Sequence, residues 1–259
     1  MRFFDSHAHL DDARFEEDRE ELLRALPQTG LVGCVNAAGS LADSRAAMAL
    51  AERIPWIWAG VGIHPHAAEE ATEDAMRFLR ESLRAPKVMA LGEIGLDYYY
   101  KPFDRELQLR ALDMQFPLAQ GMPIIYHVRD AWGDFMPWLR EHPNPGVMHC
   151  WSGSLESAKI CLDAGLYLAF GGSSTFKSAA KLREVAAYVP KDRLLVETDC
   201  PYLTPEPLRG QRNDPGKVSL VLQCLAAVRG TSPEELGEVT CLNACRLFRI
   251  DPGALLPSP

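Results

Sequence analysis

Short apolar runs and longer amphipathic stretches alternate along the whole of this chain, and the alternation repeats eight times. The apolar runs are Arg2–Ser6, Leu31–Asn36, Ile57–Gly62, Val88–Glu93, Pro123–His127, Gly146–His149, Tyr167–Phe170 and Leu194–Glu197. Most are continuous in hydrophobicity, as strands covered on both faces must be. Between and after them the helical period predicts helices over Asp12–Leu26, Leu41–Arg53, Thr72–Leu83, Asp104–Gln120, Ala131–Glu141, Leu155–Ala164, Phe176–Tyr188, Lys217–Arg229 and Pro233–Phe248. Thr72 and Ser154 are good N-cap types, and Gly30, Gly121 and Gly165 stand where helices should end. Eight strand–helix units in 259 residues with no linker predict one domain, residues 1–259, folded as a (β/α)8 TIM barrel. An open doubly wound sheet is the alternative. The segment Asp251–Pro259 reads as a frayed tail.

In a barrel of parallel strands, function sits at the C-terminal strand ends. The chain has seven histidines, and four of them fall there: His7 and His9 after the first run, His127 after the fifth and His149 after the sixth. Glu93 ends the fourth run and Asp199 follows the eighth. Alternation puts His7 and His9 on one face. One such residue alone is more often a cap or a hydrogen-bonded core group than a ligand. Six converging on one rim is what a metal site requires and what independent structural roles do not produce. Six donors exceed the needs of one tetrahedral ion, so the set predicts two divalent cations bridged by a carboxylate. Mixed imidazole and carboxylate donors suit Zn, Mn, Fe or Ni, and Mg less well. Trp151, beside His149, is placed near a substrate; Trp132 and Trp138 read as core. Of Tyr98, Tyr99 and Tyr100, at least two are expected to pack on the rim. Asp97 is expected to orient a ligand or a loop rather than bind metal.

The net charge is −8, which argues against a general nucleic-acid binder with a basic face but not against a nuclease, because bound cations supply local positive charge. Two dications bring +4 against −2 from Glu93 and Asp199. Seven scattered cysteines in a chain of this length, no apolar run long enough for a membrane span and an acidic beginning without secretory-signal features predict a cytoplasmic protein that does not enter a membrane. Cys241 and Cys245, four residues apart on one helix face, read as small buried hydrophobes. A monomer is the default expectation.

The segments Asp5-Ser6-His7-Ala8-His9, Gly62-Ile63-His64-Pro65-His66, Gly92-Glu93-Ile94-Gly95-Leu96-Asp97, His127-Val128-Arg129-Asp130-Ala131, His149-Cys150-Trp151-Ser152-Gly153 and Glu197-Thr198-Asp199 occur in the order seen in the TatD family of metal-dependent DNases, which the chain resembles from residue 5 to about 248. Arg212-Asn213-Asp214-Pro215 resembles that family's Arg-Asn-Glu-Pro segment, with Asp214 in place of Glu; Trp151 stands where Phe is usual. The resemblance implies a barrel of the amidohydrolase superfamily and hydrolysis of DNA phosphodiesters, chiefly from the 3′ end of single strands. It implies one ion on His7, His9, Glu93 and Asp199, and another on Glu93, His127 and His149, with Glu93 shared. It also implies that His64, Arg129 and Arg212 face substrate phosphates. Asp199 is the expected proton acceptor and, with Glu93, the catalytic pair. The rival function is an amidohydrolase acting on an ester or amide such as a lactone or an aminoacyl-RNA ester. Against it, Glu93 stands where many such enzymes carry a modified Lys.

Overall fold

The computed structural model describes residues 1–257. Eight strands, β1 (Phe3–Ala8), β2 (Leu31–Ala37), β3 (Ile57–Val61), β4 (Val88–Asp97), β5 (Ile124–Arg129), β6 (Gly146–Met148), β7 (Tyr167–Phe170) and β8 (Leu194–Val196), form one parallel sheet in sequence order. The helices are α1 (Arg19–Ala25), α2 (Leu41–Arg53), α3 (Glu73–Ser82), α4 (Arg105–Gln115), α5 (Trp132–Glu141), α6 (Leu155–Asp163), α7 (Ala180–Tyr188), α8 (Val218–Arg229) and α9 (Pro233–Phe248). This is the (β/α)8 barrel. Ser40, Thr72, Asp104, Ser154 and Ser232 cap their helices by accepting a backbone N–H three residues on. Gly30, Gly121 and Gly165 all take positive φ.

Two apolar clusters show which way the strands face. One gathers residues of all the strands with the surrounding helices. The other gathers the barrel-lining residues, among them Phe4, Val35, Trp58, Ala90, Ile125, Val147, Ala169 and Leu195, with Cys241, Ala244, Cys245, Leu247 and Phe248 of α9. The ninth helix therefore plugs the N-terminal mouth of the barrel, and Cys241 and Cys245 are buried thiols within that plug.

The last strand does not return to the first by a regular ladder. A single bridge, Ala8–Cys200, joins them. The remaining seam is closed by hydrogen bonds between β1 with its following residue and the end of β8 with the residues after it. The amide N–H of Asp199 donates to the His7 carbonyl at 3.0 Å and that of His9 to the Cys200 carbonyl at 2.8 Å. Ser6 Oγ donates to the Val196 carbonyl at 3.0 Å, and Thr198 Oγ1 donates to Asp5 Oδ2 at 2.5 Å.

Four boundaries differ from expectation. The first helical stretch breaks into a 3₁₀ turn at Ala13–Phe15 and a short α1, because the Arg19 guanidinium binds the carbonyls of Leu10, Asp11 and Asp12 and folds the chain back. Asp104–Gln120 stops being α-helical at Gln115, ahead of Pro117. The seventh helix starts late, at Ala180, because Arg183 ties down the preceding loop through the Ser174 and Phe176 carbonyls. The tail is anchored: the Leu256 N–H donates to the Val32 carbonyl at 3.0 Å, and Leu255 and Leu256 pack on the plug cluster. Ser258 and Pro259 of that predicted tail lie outside the described residues. Among the described residues no helix is long and apolar enough to cross a membrane.

Candidate metal centre

β4 shapes the site. Its pairing with β5 shifts between Leu91 and Ile94, where the Glu93 N–H leaves the ladder and donates to the Ala38 carbonyl at 2.8 Å. The strand then resumes for four residues beyond the predicted end. Gly95, at φ +152°, passes so close to His127 that a Cβ there would collide with the His127 carbonyl. The detour carries Glu93 into the middle of the C-terminal mouth with its carboxylate 4% exposed.

All six expected donors converge on it. Glu93 Oε1 lies 3.2 Å from His7 Nε2 and 3.3 Å from His9 Nε2, while Oε2 lies 3.4 Å from His127 Nδ1 and 3.0 Å from His149 Nε2. Asp199 Oδ1 is 3.3 Å from His9 Nε2 and 3.7 Å from His7 Nε2. One carboxylate thus offers one oxygen to each of two histidine pairs. His7, His9 and Asp199 form one group with metal-ligand spacing, and His7, Glu93 and His149 another.

The tautomers are set by what lies behind the rings. His9 Nδ1 is 2.9 Å from the Ala37 carbonyl, which only accepts, so Nδ1 carries a hydrogen and Nε2 is the nitrogen left to face the centre. His127 Nε2 is 3.0 Å from Asp97 Oδ2, which leaves Nδ1 to face the centre. Asp97 thus holds the His127 ring with one oxygen and, with the other, accepts the Tyr99 N–H of the following loop. His7 Nε2 then has the Nε2 of His9, the Oε1 of Glu93 and the Oδ1 of Asp199 within 3.7 Å. A proton between two of these atoms serves those two alone; a cation among them satisfies every lone pair. The donor set fits a metal.

Electrostatics agree. Burial pushes the Glu93 carboxyl up, but electrostatic attraction to the neighbouring imidazoles and hydrogen bonds with His127 and His149 overcome it and hold it well below the usual range. Burial pulls His9 down, yet the Asp199 hydrogen bond and the Glu93 charge raise it to about 10; burial opposes and Asp97 and Glu93 raise His127 to about 9. Burial and the neighbouring His149 take His7 down to about 4. Protons on His9 and His127 hold the ground a cation would take.

A third group, His64, Asp97 and His127, also has ligand spacing. It is poorly suited to a cation. His127 Nε2 is committed to Asp97, and His64 Nδ1 accepts the His66 N–H at 3.1 Å, which leaves Nε2–H of His64 as a donor. That arrangement suits an anion. His66, given no role by the sequence, places Nε2 3.2 Å from Asp97 Oδ2. Its position two residues after His64 was visible, but no pattern shows that it reaches across to β4. Two buried acids behind the ligands were also unassigned. Asp5, which burial pushes up to about 7 against its hydrogen bonds, takes the N–H of His7 and of Thr198 at 3.2 and 3.0 Å. Glu197 takes the Cys150 N–H at 2.5 Å and stands 3.8 Å from His149 Nδ1.

The centre floors a cavity of about 1740 Å³. His64, Arg129 and Trp151 line it, although Trp151 is only 1% exposed and packs on Trp132. Arg212 does not line it. Its guanidinium is held by both oxygens of Asp18, at 2.7 and 2.5 Å, and by the Arg14 carbonyl. Its neighbour Asn213 braces the β8 loop through the Thr198 and Tyr202 carbonyls. Of the three tyrosines Tyr98 is the one half-buried, stacked on Phe103 with its hydroxyl on Asp134; Tyr99 and Tyr100 are 51% and 56% exposed, less covered than the expected rim packing of two. The lining holds ten carboxylates and two side-chain cations, Arg129 and Lys181, so any net positive charge is confined to the metal centre.

The family model for TatD related DNase matches residues 4–249. An uncharacterized metal-dependent hydrolase, YabD of Bacillus subtilis, is 39% identical over 253 residues, covering 96% of this chain and 99% of that protein. A 3′-5′ ssDNA/RNA exonuclease, TatD of Erwinia billingiae, is 35% identical over 259 residues, covering 95% and 99%. Among solved structures, that of YJJV, a TatD homolog from Escherichia coli K12, superposes with a TM-score of 0.91 at 32% identity, covering 96% of this chain and 99% of that one.

Proposed function

Because the chain belongs to the family of TatD related DNases, which makes it a metal-dependent hydrolase, we propose that it is a two-cation phosphodiesterase that removes nucleotides from the 3′ end of single-stranded DNA. The observation that carries the reading is the division of Glu93, one oxygen to His7 and His9 and the other to His127 and His149. One ion would be held by His7, His9, Glu93 and Asp199, the other by Glu93, His127 and His149. Two such cations, when bound, acidify water and polarise phosphoryl oxygens.

The protein supplies the rest. Asp199 turns Oδ1 toward His7 and His9, which leaves Oδ2 to take a proton from the attacking water and return it to the leaving oxygen. His64 Nε2–H and the Arg129 guanidinium donate to the phosphate. The acidic lining keeps a polyanion away from most of the cavity wall, which favours engagement of a chain end over a long groove contact. Arg212, engaged by Asp18, drops out as a direct phosphate ligand.

The test is digestion of end-labelled single-stranded DNA by chelated and metal-restored protein. Stepwise 3′ shortening that needs the metal is expected. Internal cutting, or activity indifferent to the chelator, would overturn the assignment. The exonuclease name of the Erwinia relative supports the substrate class.

A further inference from the structure

Arg129 ends β5 with its guanidinium 3.6 Å from the centroid of the Tyr99 ring and 5.3 Å from that of Tyr100. Other arginines of this end of the barrel are fixed by acids, Arg105 by Asp134 and Arg212 by Asp18. Arg129 has no carboxylate partner among the described residues and is held by the aromatic face alone. The tyrosine is itself fixed. Its N–H donates to Asp97 Oδ1 at 2.9 Å, while Oδ2 of the same carboxylate receives His127 Nε2 at 3.0 Å. The neighbouring Tyr98 N–H donates to the Arg129 carbonyl at 2.9 Å. A metal-ligand imidazole, a carboxylate, a tyrosine and an arginine thus form one connected unit. Arg129 and Tyr100 line the cavity; Tyr99 stands behind the arginine and does not.

We propose that Tyr99 is a positioning residue that holds the Arg129 guanidinium at the cavity wall, unneutralised, for a substrate phosphate. This rests on the phosphodiesterase reading above. The physical reason is the lining. Among ten carboxylates and two side-chain cations, a mobile guanidinium settles on an acid and its charge is lost to the substrate. A ring face holds it through the quadrupole and leaves its planar N–H donors free. Tyr99 is 51% exposed, a poor arrangement for core packing and a suitable one for a support.

The test uses the metal-loaded full chain on single-stranded oligonucleotides, with Tyr99→Phe, Tyr99→Leu, Arg129→Leu and the Tyr99→Leu/Arg129→Leu double variant. Tyr99→Leu should raise KM roughly three- to ten-fold with kcat within about two-fold, and Tyr99→Phe should stay near wild type. In the Arg129→Leu background the Tyr99→Leu loss should vanish. Metal content and Tm should match wild type throughout. An unchanged KM in Tyr99→Leu, equal damage from Tyr99→Phe, or a loss that persists without Arg129 overturns the proposal while leaving the phosphodiesterase reading intact. A wild-type protein that cleaves no nucleic acid overturns both.

Discussion

At the scale of single residues the centre is a matter of which nitrogen is already engaged. His9 and His127 each commit one nitrogen to a neighbour and turn the other inward, though opposite nitrogens in the two cases. Asp97→Asn removes the charge that holds His127 and is expected to cost about 10–100-fold in metal affinity, read by chelator competition, with the circular dichroism unchanged. Asp199→Asn should lower turnover by at least about 100-fold in a protein that remains folded; near-native rates in that variant would remove its proton-transfer role. The pH dependence follows from the raised histidines. Protons on His9 and His127 are bound below about 10 and about 9, so an incoming cation must expel them. Apparent affinity should therefore fall as pH falls and climb as pH approaches those values, with proton release visible as buffer-dependent heats in titration calorimetry.

At the scale of elements, strand positions were readable because burial on both faces leaves an uninterrupted apolar run, and seven of the eight runs overlap the observed strands to within about two residues at each end. The exception is informative. β4 runs on past Glu93 because the chain detours and re-enters the ladder, and hydrophobicity does not report a register shift. The convergence of six candidate donors was legible, since histidines and acids at strand ends have few other reasons to cluster. The support around them was not. A motif gives Arg212 a place in the order but says nothing of Asp18, 194 residues away, which claims its guanidinium. Likewise nothing in Tyr98-Tyr99-Tyr100 distinguishes the ring that packs on Phe103 from the ring that carries Arg129. The detour itself can be tested. Gly95→Ala places a Cβ against the His127 carbonyl at a positive φ, and should destabilise by roughly 3 kcal/mol in thermal melts and weaken metal binding with it. A variant with unchanged Tm and metal content would show that β4 relaxes freely there.

At the scale of the molecule, one mouth of the barrel is filled by α9 and the other by polar chemistry. The apolar plug gives the fold a base that does not depend on metal, whereas the upper rim is held by hydrogen bonds among groups that also serve the centre. Removing the cations should therefore lower Tm by several degrees without unfolding the chain at room temperature, measured by calorimetry with and without chelator. The loss should appear as faster amide exchange at the ends of β1 and β8 before it appears elsewhere. Equal protection of those amides in both states would mean the rim is self-sufficient.

The unladdered join between β1 and β8 would give a bound cation a second job. His7 and His9 stand on one lip of that gap and Asp199 on the other, so an ion gripped by all three acts as a clasp between the first and last staves of a cask. His7 and Asp199, which it would fasten, lie 192 positions apart in a chain of 259. Metal loading would then tighten that join as well as arm the site.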